Sequence, residues 1–179
     1  MHTLKELLAH GYAARAANDP AESRAAFFEA VRKASLEADR PSLAEALCGL
    51  AQAQRDIGNL GPASHQYANA TVLYREIGPP VRLAYALRHE ADVLREMSRP
   101  ADAEPLYLEA EMIYRQLRGQ AVLDLANTLR GLALVNESIG NMNQSKKLWN
   151  EARKLYADCN VEAGISECDK KLSQLCQDR

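Results

Sequence analysis

Large aromatic side chains are scarce in this 179-residue chain, with two Phe and one Trp. A sandwich core built on bulky strand residues is therefore disfavoured, and the wealth of Ala and Leu suits helices packed at close range. No apolar run approaches the roughly 20 residues of a membrane-spanning helix, so no span is expected. Neither sign of charge prevails: 22 Lys and Arg stand against 24 Asp and Glu. That balance lacks the basic surplus needed along a nucleic-acid backbone, so no nucleic-acid partner is expected. No helix pairs a wide apolar face with a basic one, which argues against attachment to a membrane surface. With 47% hydrophobic residues the chain is also too apolar for a disordered segment. Met1 to Asn18 mixes Lys5, Glu6 and Arg15 into a helical pattern without a secretory apolar core, and a cytoplasmic location is the expectation.

Catalytic and metal-binding patterns are missing as well. Cys48, Cys159, Cys168 and Cys176 form no C-x-x-C pair and lie beside no His at metal spacing. Cys168 and Cys176 fall eight apart in one expected helix, about 12 Å along its axis, too far for a disulfide. All four are read as reduced thiols packed as small hydrophobes. Phosphate loops, dinucleotide turns, nucleophile elbows and H-E-x-x-H are absent. His2, His10, His65 and His89 are scattered, and His89 and Glu90, as helix neighbours, point about 100° apart. Two glycosylation sequons, at Asn136 and Asn143, fall in expected helices and carry no weight. No enzyme, cofactor or metal is expected.

What is present is a unit of about forty residues written four times. Leu47-Cys48-Gly49-Leu50-Ala51 leads to Ile57-Gly58-Asn59, Ala63, Tyr67 and Ala70. Leu87 leads to Glu90-Ala91, Leu94, Met97, Ala103, Tyr107 and Ala110. Leu129-Arg130-Gly131-Leu132-Ala133 leads to Ile139-Gly140-Asn141, Ser145, Trp149 and Ala152. A weaker first copy runs Leu7, Gly11, Ala17-Asn18-Asp19, Ser23, Phe27 and Ala30. The offsets are 40, 40 and 42. A hairpin of this size cannot bury its apolar face alone and must stack on its neighbours.

Punctuation sets the helix limits. Pro20, Pro41, Pro62, Pro79-Pro80 and Pro100 fall at or near first turns, where a missing N–H costs little. Gly58-Asn59 and Gly140-Asn141 end helices and turn the chain. The repeats span about 3–38, 42–77, 80–117 and 121–158, each a pair of helices, A then B. The A helices cover 3–17, 42–57, 80–97 and 121–139, and the B helices 21–38, 61–77, 100–117 and 142–158. A ninth helix at 162–177, with Ile165, Cys168, Leu172 and Leu175 on one stripe and Glu167, Asp169, Lys170 and Lys171 between them, reads as a solubilising cap. Residues 1–179 are expected to form one all-α domain.

This pattern resembles the tetratricopeptide repeat. Ala51, Ala91, Ala133 and Gly11 match its small A-helix position. Ala63, Ala103, Ser23 and Ser145 match the small position early in helix B. Phe27, Tyr67, Tyr107 and Trp149 match the bulky plug, and Ala30, Ala70, Ala110 and Ala152 follow it one turn later. The period exceeds the family's usual value of about 34, as in the long-repeat variety found in kinesin light chains and bacterial regulators. B helices extended through Leu73-Tyr74, Ile113-Tyr114 and Leu155-Tyr156 account for the surplus. The resemblance implies a right-handed superhelix of four antiparallel hairpins, with the A helices lining a concave groove.

Some positions depart from the pattern. His10 and Glu90 stand where Leu50 and Leu132 stand in other copies. A buried carboxylate needs a partner or a raised pKa. The Glu90 site is expected to be partly open with Glu90 paired to a nearby Arg such as Arg130 or Arg88, or else to be a polar functional spot. His10 is read as an irregularity of a terminal repeat. Asn136 is expected to hydrogen-bond across repeats.

The resemblance puts Lys5, Leu8, Tyr12, Arg15 and Ala16 of the first copy in the groove, with Glu45, Cys48, Gln52, Arg55 and Asp56 of the second. Tyr85, Arg88, Asp92, Arg95 and Glu96 follow from the third, and Asn127, Arg130, Leu134, Glu137 and Ser138 from the fourth. Arg15, Arg55 and Arg95 occupy one place in three consecutive copies, on helices about 8–10 Å apart. Two interpretations stand. These arginines contact an acidic or C-terminal peptide segment, or they pair with Asp56, Asp92, Glu96 and Glu137 in an inter-repeat network. Leu8 and Tyr12 sit where chaperone-binding members clamp a terminal carboxylate with Lys and Asn, so an Hsp70- or Hsp90-type partner is not expected. The function expected is a non-enzymatic module that binds a peptide segment or helix of another protein in its groove. The residues put forward are Arg15, Gln52, Arg55, Tyr85, Arg88, Asp92, Arg95, Asn127 and Arg130. The alternatives are a homodimer formed through the last helix or the outer face, and a peptide-signal sensor whose effector lies on another chain.

Overall fold

A computed structural model describes residues 2–177. Among them are nine α-helices and no strand. They are α1 Leu4–Ala16, α2 Pro20–Leu36, α3 Arg40–Asp56, α4 Leu60–Ile77, α5 Pro80–Glu96, α6 Pro100–Gln116, α7 Val122–Ser138, α8 Met142–Asp158 and α9 Glu162–Gln177. Helix starts are specified locally. Thr3 and Glu6 form a capping box on α1, and the carboxylates of Asp19 and Asp39 accept from the N–H groups of Glu22 and Ser42. Pro20, Pro80 and Pro100 each occupy the first position of a helix. Pro105 was not among the expected boundary prolines and lies inside α6. Its place near the start of the helix limits the loss to one intrahelical bond.

Each helix packs on the next in chain order, and further contacts join α1 to α3 and α5 to α7. With the Arg55–Glu96 pair between α3 and α5, these contacts put α1, α3, α5 and α7 in one inner layer, with the even-numbered helices outside. The result is a right-handed superhelical solenoid of four antiparallel hairpins closed by α9. The turns from A to B helices are alike. Asn18, Gly58, Ser98 and Gly140 all take positive φ, between 58° and 81°, and end their helices in the left-handed cap conformation.

The packing unit is an aromatic ring inserted between two A helices. Phe27, Tyr67, Tyr107 and Trp149 are fully buried, as are Ala30, Ala70, Ala110 and Ala152 one turn later. A Cβ placed on Gly49 would lie 2.3 Å from the Phe27 ring, and one on Gly11 would lie 2.7 Å from it. The ring thus rests against the bare backbone of its own A helix and of the next. Gly131 receives Tyr107 in the same manner, at 2.4 Å. At the far end α9 lays Ile165, Leu172 and Leu175 on the cluster of Leu129, Leu132, Trp149, Tyr156 and Cys168, which covers the last hairpin.

Gly49→Ala or Gly131→Ala should lower the unfolding free energy by about 1–3 kcal/mol, because the buried ring has nowhere to move. Gly61→Ala in α4 faces open space and should instead gain up to about 1 kcal/mol. Thermal and denaturant melts of the three variants measure both signs.

Candidate functional site

The inner wall is polar where the third A helix crosses it. Arg88, His89 and Asp92 of α5 are all about nine-tenths buried. The sequence explains why this helix differs. His89 stands where α3 and α7 carry Gly49 and Gly131, so Tyr67 finds an imidazole instead of bare backbone. The two rings stack at 5.7 Å with an 11° interplanar angle, and Tyr85 meets His89 edge-on at 4.3 Å.

Asp92 is the hub. Its carboxylate accepts from the Tyr107 hydroxyl at 2.5 Å. It also lies 3.5 Å from Arg88, 3.6 Å from His89 and 3.7 Å from Arg55. Burial opposes the charge on Arg88, but Asp92 first, then Tyr114 and Asp124, raise its pKa above the ordinary value. Burial is also the main force on His89, followed by Arg88, Arg55 and Arg15, and together they hold its pKa well below 6.5. Several buried atoms of this wall have no hydrogen-bond partner among the described residues: Tyr67 Oη, Arg88 Nε, His89 Nδ1 and Arg95 Nε.

The arginine column divides. Arg15 Nε donates to Asp56 at 2.8 Å. Arg55 reaches the same place one repeat on, with Nε 3.1 Å from Glu96 and Nη2 on the other oxygen. Two rungs thus form inter-repeat ion pairs. Arg95 does not continue the series. Its nearest acid is Glu96 of its own helix at 3.9 Å, already held by Arg55. The fourth repeat offers Ser138 at the acid position, and its hydroxyl donates to the Val135 carbonyl. Glu137 is occupied by Lys171, Trp149 and Ser145. A second row follows the same logic, with Arg88 3.4 Å from Asp124 and Arg130 2.7 Å from Glu167 of α9.

Toward the N-terminal end the wall opens into a pocket of about 280 Å³, lined by Tyr12, Glu45, Cys48, Gln52, Tyr74, Arg82 and Tyr85 among others. Tyr12 donates to Glu45 at 3.1 Å and Tyr85 to Gln52 at 3.3 Å. Burial pushes the Cys48 thiol up to about 12, which keeps it protonated and unreactive. The structure therefore gathers Gln52 and Tyr85 at this pocket, and Arg55, Arg88 and Asp92 around α5 with Arg95 close to Tyr107. It leaves Arg15 and Arg130 in outlying ion pairs and engages Asn127 with the Tyr156 hydroxyl at 2.8 Å.

Three sequence expectations need correction. Glu90 pairs with neither Arg130 nor Arg88. It accepts from the Thr71 hydroxyl at 3.2 Å, and burial raises its pKa against the smaller effects of Thr71 and Arg75. Thr71 sits on the preceding B helix, whose facing side the repeat pattern does not reveal. Asn136 bonds the Leu132 carbonyl within its own helix at 2.9 Å, not another repeat. His89 was set aside as one of four scattered histidines. The available signal was its occupancy of a glycine position in the repeat.

These features define a tetratricopeptide-like helical-repeat fold. No protein-family model matches the chain, and no curated protein matches it by sequence. Solved structures do. RapI in its apo form aligns over 97% of this chain and 69% of its own, with a TM-score of 0.82 at 14% identity. BtubC (BKLC) from P. vanneervenii aligns over 93% and 69%, with a TM-score of 0.81 at 17% identity. A kinesin light chain-like protein of Podosopora anserina with nearly identical TPR-like repeats aligns over 97% and 85%, with a TM-score of 0.79 at 12% identity. At these identities the likeness is one of fold.

The unfolded chain takes up a proton at a position like His89 near pH 6.5, before the folded protein does. Stability tied to neutral His89 is therefore complete above about pH 6.5 and is lost as pH falls below it. His89→Phe, which keeps the ring against Tyr67, should flatten the decline between roughly pH 7 and pH 5. Glu90 contributes with the opposite sign in both proteins, so the difference between their urea-melt pH profiles isolates His89.

Proposed function

We propose that this chain is a non-enzymatic interaction module that holds a peptide segment or helix of another protein in its concave groove. One observation carries the proposal: at α5 the partly exposed Tyr85 and Arg95 are held by buried neighbours, Tyr85 edge-on to His89 and Arg95 against Tyr107. Such a surface loses little conformational freedom when a partner arrives. The Tyr85 pocket supplies apolar area with polar edges, and the arginines beside it supply directional donors. The TPR-like fold of the similar structures supports an interaction role in general.

A second reading rests on the outer face. Phe28, Val72, Leu108 and Met112 of the B helices are each at least half exposed, a stripe that a second copy of the chain could cover.

Tyr85→Ala combined with Arg95→Gln should abolish capture of the partner identified by mass spectrometry from a native lysate, with the helical melt retained. Phe28→Ser combined with Leu108→Ser should leave that capture intact. The reverse pattern, together with a dimer in light scattering that the outer-face variant dissociates, would replace the groove with the outer face.

A further inference from the structure

We infer that the groove contains a single carboxylate-binding subsite at Arg95, between the third and fourth repeats. This rests on the groove reading and makes it more specific. The argument is the interrupted ladder. At equivalent rungs the guanidinium of one A helix takes a carboxylate from the next, as Arg15 takes Asp56 and Arg55 takes Glu96. By repeat register the residue that corresponds to Asp56 and Glu96 is Ser138, a side chain too short and without charge. The neighbouring Glu137 cannot substitute, because Lys171, Trp149 and Ser145 hold both of its oxygens.

Arg95 is only about a quarter exposed and its Nε has no partner. Its other contacts are the Tyr107 hydroxyl and, at 3.9 Å, a Glu96 carboxylate already held by Arg55, so no carboxylate bonds it directly and an incoming anion is favoured. In register the rung repeats its two neighbours without their acid side chain, so the ligand chemistry is that of the missing group, a carboxylate. Ser138 also lines a cleft of about 430 Å³ with Leu134, Met142 and Leu175. That cleft, which Glu137, Lys171 and Gln174 also line, lies at the acid position of the fourth repeat and would take an apolar side chain next to the bound carboxylate. The occupant is a peptide segment whose C-terminal, Asp or Glu carboxylate adjoins such a side chain.

The test is selection from a displayed random heptapeptide library, made with free C-termini and, separately, with amidated ones. Baits are the wild type, Arg95→Gln, Ser138→Glu and Tyr85→Ala, each first checked by thermal melt. Ser138→Glu should complete the third rung from within, so it blocks the subsite while keeping or raising the melting temperature. The expected result is enrichment of carboxylate-bearing peptides whose affinity falls about tenfold or more in both Arg95→Gln and Ser138→Glu, the usual scale for one charge-assisted contact. Loss of the enriched pool on amidation assigns the carboxylate to the C-terminus, and its persistence assigns it to Asp or Glu. Peptides that bind both variants as tightly as wild type but fail on Tyr85→Ala would overturn the subsite and leave the groove reading standing. A library with no enriched sequence, or one indifferent to all three substitutions, would overturn both.

Discussion

The solenoid depends on how closely an aromatic ring can approach the backbone of two A helices at once. Phe27 does this between Gly11 and Gly49, and Tyr107 touches Gly131. Where both partners lack side chains, helices lie close and a ring fills the remaining gap, so the interior reaches crystal-like density with few large residues. The same approach holds successive A helices together on one side, while the B helices remain outside. The inner wall follows from that asymmetry.

His89, in the position that Gly49 and Gly131 hold in the neighbouring repeats, produces the wall's polar centre. With His89 in the glycine position, Tyr67 cannot rest on bare backbone and stacks on the imidazole instead. Burial keeps that imidazole neutral and the neighbouring arginines act in the same direction, with Arg88 Nη2 2.9 Å from its Nε2. Asp92 then ties the wall to the aromatic plug of its own repeat through the Tyr107 hydroxyl. Packing and electrostatics are therefore coupled here: the residue that departs from the repeat is also the one that brings buried charge to the groove.

The architecture was legible because its determinants recur. Plugs, small residues and left-handed turns come back at nearly constant intervals, and an interval survives any single irregularity. The site was legible only in outline. Alternating acids and arginines could be read from the columns, but the fate of each arginine depended on neighbours outside its own column. Arg130 is taken by Glu167 and Glu137 by Lys171, both on α9, which belongs to no repeat. Glu90 was assigned the wrong partner for a similar reason, since Thr71 faces it from a B helix. Periodicity specifies which residues share a face. It does not specify which of them meet across helices.

If the groove binds a segment as proposed, the distinction between paired and unpaired arginines governs what it can recognise. A partner carboxylate arriving at Arg55 must displace Glu96, which is tethered in place and therefore competes at a high effective concentration. Arg15 is guarded in the same way by Asp56. Exchange of one carboxylate for another at such a rung gains almost nothing in free energy, because the charge and hydrogen bonds lost equal those formed. At Arg95 no tethered acid of the neighbouring repeat has to leave. Net attraction for an anion is then concentrated at one rung of three, although the column looks uniformly basic in the sequence. On the proposed reading, such a groove would select the position of a negative charge along a bound segment, not its total charge.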